Sequence, residues 1–94
     1  MPATAIFLSR QDAKALAAVL ADAVTNRKAP MDNEAARRAL TEVGSAVERE
    51  AAFASADLTE SERRAAGRCW EALAFDRPDI GDGQFERIRR RLIS

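Results

Sequence analysis

Apolar residues recur every three or four positions along most of this chain, which is the spacing of a buried helix face. Over residues 10–27 the apolar positions fall within about 120° of one another on a helical wheel. These positions are Ala13, Leu16, Val19, Leu20, Ala23 and Val24. Ser9 precedes them and has an acidic residue three positions later, as a helix N-cap often does. The pattern predicts a first helix over about 10–27.

A second helical pattern follows Pro30 and extends to about residue 55. Its apolar positions form a narrow stripe of mostly small side chains: Ala36, Leu40, Val43, Val47, Ala51 and Ala54. Gly44 lies near this stripe, although glycine lowers helix propensity by about 1 kcal/mol relative to alanine. We expect Gly44 either to permit close packing or to kink the helix. The predicted second helix spans about 32–55.

Thr59 and Glu62 match a capping box, in which each side chain accepts a hydrogen bond from the other residue's backbone N–H. A third helix is therefore predicted over about 59–75, and the Asp-, Gly- and Pro-rich segment after it is expected to form a loop. The spacing then predicts a fourth helix over about 84–93. Its apolar side chains share one face: Phe85, Ile88 and Leu92.

The beginning of the chain has a different character, because Ile6, Phe7 and Leu8 favour an extended conformation. We expect residues 1–8 to form an arm that lays Ile6 or Phe7 against the helices, or that pairs with the same segment of a second copy. The expected fold class is all-α. Residues 1–94 are predicted to form one domain, a small antiparallel helical bundle of about four helices with a short extended N-terminal arm.

Composition adds that this bundle has a thin core, since alanine accounts for 21 of the 94 residues. A buried leucine contributes roughly 1.5–3 kcal/mol and an alanine methyl far less, so self-association is a natural way to enlarge the core.

Cations and acids balance at 15 each, and no overall field recruits nucleic acid or a membrane. Thirteen of the cations are arginine. Abundant Arg and Ala are typical of GC-rich genomes, which favours a bacterial or phage origin.

The residue types that most often carry chemistry are scarce. There is no histidine, and the single cysteine, Cys69, lacks the usual base that would activate it, so we expect it to be a buried core thiol. The chain is predicted to be no enzyme and to hold no cofactor and no metal. One cysteine forms no internal disulfide, and no apolar run approaches the ~20 residues that span a bilayer. We therefore expect a cytoplasmic protein that has no membrane partner.

The candidate partner-binding residues are Phe53, Trp70, Arg87, Arg90 and Arg91. Phe53 projects about 100° away from the stripe of the second helix, which predicts an exposed contact unless a frayed helix end returns it to the core. Trp70 flanks the stripe of the third helix, as a core residue or an interface anchor. The arginines of the last helix suit an acidic protein surface, phosphates or the dipole of a helix C-terminus.

These features favour a non-enzymatic interaction protein, a small helical adaptor, inhibitor or regulator that binds another protein, with a homodimer as one form. The alternative is a DNA-binding or transcription-modulating module that uses the third helix or the Arg-rich C-terminal helix. Balanced charge counts against this alternative, because phosphate contacts usually need a basic face.

Overall fold

The computed structural model describes residues 3–26, 33–49 and 53–93. In chain order the elements are β1 (Thr4–Ser9), α1 (Arg10–Thr25), α2 (Asn33–Glu48), β2 (Phe53–Leu58), α3 (Glu60–Cys69) and α4 (Asp82–Leu92). A π-helical turn, Trp70–Ala74, continues α3. The two strands form an antiparallel sheet, so the described part of the chain has an α+β fold and the predicted all-α class is wrong.

The predicted arm is a strand, and its partner comes from the end of the predicted second helix. Leu8 lies opposite Ala54, and Phe7 lies opposite Ser55. Every second side chain of β2 is buried: Ala54, Ala56 and Leu58. A helix that reaches residue 55 is therefore wrong. Alanine at alternate positions suits the inner face of a strand as well as a helix, and pairing with β1 outweighs its helix propensity.

The core lies between the inner face of this sheet and the helices. Ile6 and Leu8 point into it from β1, whereas Phe7 points outward, so of the two alternatives Ile6 is the residue that packs inward. The largest fully buried side chains are Trp70, Leu16, Leu20, Leu58, Ile88 and Leu92. In α2 the buried side chains are Ala35, Ala36, Ala39, Val43 and Ala46. The buried face of this helix is therefore made of small side chains, as predicted, but Leu40 and Val47 of the predicted stripe are only partly buried.

The local signals for the starts of two helices are confirmed. The Oγ of Ser9 accepts a hydrogen bond from the backbone N–H of Asp12 at 3.1 Å, at the start of α1. In the capping box, the N–H of Thr59 donates to Glu62 Oε1 at 3.0 Å, and the N–H of Glu62 donates to Thr59 Oγ1 at 3.2 Å. The predicted end of the first helix at residue 27 and start of the second at residue 32 lie outside the described residues.

Two glycines have different surroundings. A Cβ on Gly67 would lie 2.8 Å from Cγ1 of Ile93, so this glycine lets the end of α4 approach α3 closely. There the Nη1 of Arg63 donates to the carbonyl of Leu92 at 2.7 Å, which satisfies a group that a helix end leaves free. At Gly44, however, nothing in the described structure lies within 4 Å of a Cβ position. The close packing expected at Gly44 is therefore not found.

Candidate functional site

An ion pair between a buried carboxylate and an exposed arginine joins the start of α1 to α4. Asp12 lies in the first turn of α1 and is only 4% exposed. Arg87 donates hydrogen bonds to both carboxylate oxygens of Asp12: Nε donates to Oδ2 and Nη2 donates to Oδ1, each at 3.0 Å. The Nε2 of Gln84 donates to the same Oδ1 at 3.1 Å. These contacts, those from Arg87 foremost, hold the pKa of the Asp12 carboxyl below its ordinary value, although burial acts in the opposite direction.

Sequence reasoning missed this pair, although at about 100° per residue Asp12 falls within the apolar stripe of the first helix, between Val19 and Ala23. Gln84 and Arg87 are three residues apart and therefore share a helix face. Neither residue identifies its partner, which lies 75 positions away from Arg87.

A groove of about 420 Å³ opens beside the ion pair, between β1 and α4. Its lining comes from four elements: Phe7, Leu8 and Ser9 of β1, Asp12 of α1, Phe53 of β2, and Arg87 and Arg91 of α4. The two arginines are one helical turn apart and so lie on the same side of α4. The groove therefore combines an aromatic part, supplied by the sheet, with a cationic part, supplied by the last helix.

The aromatic part of this groove is exposed. Phe53 is paired with Ser9 and Phe7 with Ser55, which makes the two phenyl groups diagonal neighbours on the outer face of the sheet. Phe7 is 56% exposed and Phe53 is 70% exposed. Phe53 is thus exposed, which is one of its two predicted alternatives, but it projects from a strand and not from the end of a long helix. Large apolar side chains exposed together are typical of contact surfaces.

Three of the five predicted contact residues meet in this groove: Phe53, Arg87 and Arg91. Arg90 is exposed but does not line it. Trp70 is fully buried, its ring is stacked on Phe85 with centroids 5.9 Å apart, and its Nε1 donates to the Phe85 carbonyl at 3.0 Å. Trp70 therefore belongs to the core of the folded molecule.

The two arginines of the groove differ in their partners. The side chain of Arg87 is 62% exposed although it holds Asp12, and its Nη1 makes no hydrogen bond to a described residue. The side chain of Arg91 makes neither a hydrogen bond nor an ion pair within the described part of the chain. The groove therefore keeps one uncompensated cation on its rim.

Two larger depressions on the surface are less suited to binding a partner. One has a volume of about 560 Å³ and the other about 510 Å³, and both are lined mainly by charged side chains of both signs. Many of these charges already have partners, such as Arg64 with Glu60 at 2.8 Å and Arg38 with Glu34 at 3.4 Å. Neither depression contains an aromatic side chain.

Cys69 is buried, as predicted, and burial raises the pKa of its thiol, which disfavours the reactive thiolate. Among the described residues, no group of three or more His, Cys, Asp or Glu side chains is arranged to hold a metal ion. No helix in the described ranges combines the length and the apolar character that crossing a membrane requires.

A comparison of the chain with protein-family models, curated proteins and solved structures finds no match. Its function is therefore inferred from the groove itself. The one carboxylate that lines the groove, Asp12, is held by Arg87 and has a lowered pKa, which makes it a poor general base. Two exposed phenyl groups beside arginines suit contact with another molecule better than they suit catalysis.

Proposed function

We propose that this chain is a protein-interaction module that binds another protein through the groove between β1 and α4. The observation that carries this proposal is the exposure of Phe7 and Phe53 side by side on one sheet face. Covering a phenyl side chain contributes roughly 1.5–3 kcal/mol, and a few such anchors dominate the energy of many interfaces.

The groove is also held in place before any partner arrives. Phe7 is flanked along β1 by Ile6 and Leu8, whose side chains are anchored in the core. On the other wall, the two hydrogen bonds to Asp12 fix the guanidinium of Arg87. A preformed surface loses little conformational entropy on binding, and this supports a role in recognition.

A chain of this kind acts by occupying the surface of another protein, as an adaptor, an inhibitor or a regulator. We place it in the cytoplasm of a bacterium or in a phage-infected cell. The buried, single cysteine is compatible with a reducing compartment, and the composition is compatible with a GC-rich genome.

The DNA-binding alternative has less support, because three of the seven arginines of α3 and α4 are already paired with carboxylates. Arg64 pairs with Glu60, and Arg87 pairs with Asp12. Arg89 lies 3.5 Å from carboxylate oxygens of both Glu71 and Glu86. Binding to a phosphate backbone relies on several cations that release counterions together, and the charges of these three arginines are already compensated.

Photo-crosslinking tests the proposal directly. A photoreactive phenylalanine analogue is placed at position 7, 53 or 75 in the full chain, and adducts formed in producing cells are identified by mass spectrometry. Phe75 is the matched control, since it is at least as exposed as Phe7 and Phe53 but contacts Phe85 and does not line the groove. We expect one protein to be captured from positions 7 and 53 and not from position 75.

The captured protein is then purified and its affinity for unmodified chain is measured. We expect Phe53→Ala to weaken binding about tenfold or more, and Phe75→Ala to leave it nearly unchanged. Adducts that are the same at all three positions, adducts with nucleic acid alone, or equal effects of the two substitutions would overturn the proposal.

A further inference from the structure

We infer that the groove selects an acidic partner segment, one that lays an apolar side chain on Phe7 and Phe53 and sets a carboxylate against Arg91. This inference rests on the proposed function and adds the chemistry of the partner. It follows from the distribution of charge around the two phenyl groups.

The charge that remains available in the groove is positive. Asp12 compensates Arg87, whereas Arg91 has no partner within the described residues and is exposed. The Nη1 of Arg87 is likewise not used by Asp12, which engages only Nε and Nη2. A carboxylate placed between the two guanidinium groups can accept charge-assisted hydrogen bonds from both.

The sheet gives the bound segment a direction. Asp57 is exposed on the same outer face but lies opposite Ala5, at the far end of the strands from Phe53 and Ser9. A carboxylate near Asp57 would be repelled, whereas one near α4 meets Arg91. The acidic residue of the partner therefore lies at the α4 end, and the apolar residue next to it covers the phenyl groups.

A single strand of nucleic acid offers similar groups, since phosphates pair with arginine and bases stack on phenyl rings. The groove is less suited to it, because a strand of nucleic acid that continues along the sheet face would bring phosphates close to Asp57. The unpaired arginine of the groove can compensate one carboxylate, whereas a phosphate backbone carries a further uncompensated charge at every nucleotide. The charges therefore favour an acidic protein segment.

Three fluorescent probes of equal length test this selectivity by anisotropy: a peptide that alternates glutamate and leucine, a peptide that alternates lysine and leucine, and an oligothymidine. We expect the glutamate peptide to bind about tenfold more tightly than the other two, and its affinity to fall as salt is added. Failure of the glutamate peptide to bind, or tighter binding of either other probe, overturns the inference.

Arg91→Glu is compared with Arg90→Glu, which makes the same change of charge at the neighbouring exposed residue outside the groove. We expect Arg91→Glu to weaken binding of the glutamate peptide about tenfold and Arg90→Glu to weaken it by less than about threefold. Circular dichroism verifies that both variants keep the wild-type helix content. Equal losses at the two positions would show a general charge effect and overturn the inference.

The two proposals fail differently. One outcome is that crosslinks from position 53 persist and Phe53→Ala still weakens binding of the captured protein, while Arg91→Glu leaves that binding unchanged. In that case the interaction surface is supported and the acidic selectivity is wrong. If crosslinks from positions 7 and 53 are absent, the proposed function itself falls, and the inference falls with it.

Discussion

Asp12 illustrates how a single buried charge positions two helices. Removing a carboxylate from water costs several kcal/mol unless it is paired and hydrogen-bonded. Arg87 and Gln84 meet that requirement from α4. The backbone N–H of Asp12 also donates a hydrogen bond to the N-cap residue Ser9. Since the arginine side of the pair remains open to water, the same contact that holds α4 to α1 also orients one wall of the groove.

We predict that acid destabilises the wild-type protein more steeply than Asp12→Asn. The pKa of Asp12 is lowered in the folded state by Arg87, so its stabilising contribution is complete above the unfolded pKa and is lost as pH falls through the folded pKa. Denaturant unfolding at several pH values below about 5 measures this slope. The same slope in Asp12→Asn would contradict the prediction.

At the scale of the element, α2 contains a glycine that its packing does not require. Gly44 lies in the interior of Asn33–Glu48, and no described atom is within 4 Å of a Cβ position on it. Glycine in a helix interior loses more backbone entropy on folding than alanine does. Its presence therefore costs the helix stability without a compensating contact among the described residues.

We predict that Gly44→Ala raises the free energy of unfolding by about 0.5–1 kcal/mol, which corresponds to several degrees in Tm for a domain of this size. Gly67→Ala is the matched comparison, because its new methyl would lie 2.8 Å from Cγ1 of Ile93. We expect Gly67→Ala to be less stable than Gly44→Ala in thermal unfolding. A loss of stability in Gly44→Ala would mean that α2 needs the glycine for its shape.

At the scale of the whole molecule, the sheet connects the core to the groove. β1 pairs with β2 although they are far apart in sequence, and their inner side chains complete the core. The outer side chains of the same strands, Phe7 and Phe53, form the aromatic part of the groove. Stability and binding therefore depend on alternate residues of the same two strands.

We predict that alanine substitutions at two neighbouring residues of β1 differ strongly in their effect on stability. Leu8 is buried, so Leu8→Ala should lower the free energy of unfolding by about 2–5 kcal/mol. Phe7 faces outward, so Phe7→Ala should change it by less than about 1 kcal/mol. Urea unfolding of both variants measures the difference. A greater loss in Phe7→Ala would show that Phe7 packs inward, and the groove as described would be wrong.

The features that the sequence determines by itself are those that arise from interactions over a few residues. The positions of the helix starts at Ser9 and Thr59 follow from side chains that bond their own backbone three residues away. The burial of Cys69 follows from the apolar period of the third helix. Such interactions have the same partners wherever the segment lies in the fold.

Only the tertiary structure decided the sheet, the ion pair and the groove. Ala54 and Ala56 are compatible with a helix or with the inner face of a strand, and pairing with β1 selects the strand. Asp12 lies on the buried side of α1, but the arginine that pairs with it, Arg87, arrives from 75 residues further along the chain. Contacts of this range depend on how all the elements pack together, so no local pattern in the sequence encodes them.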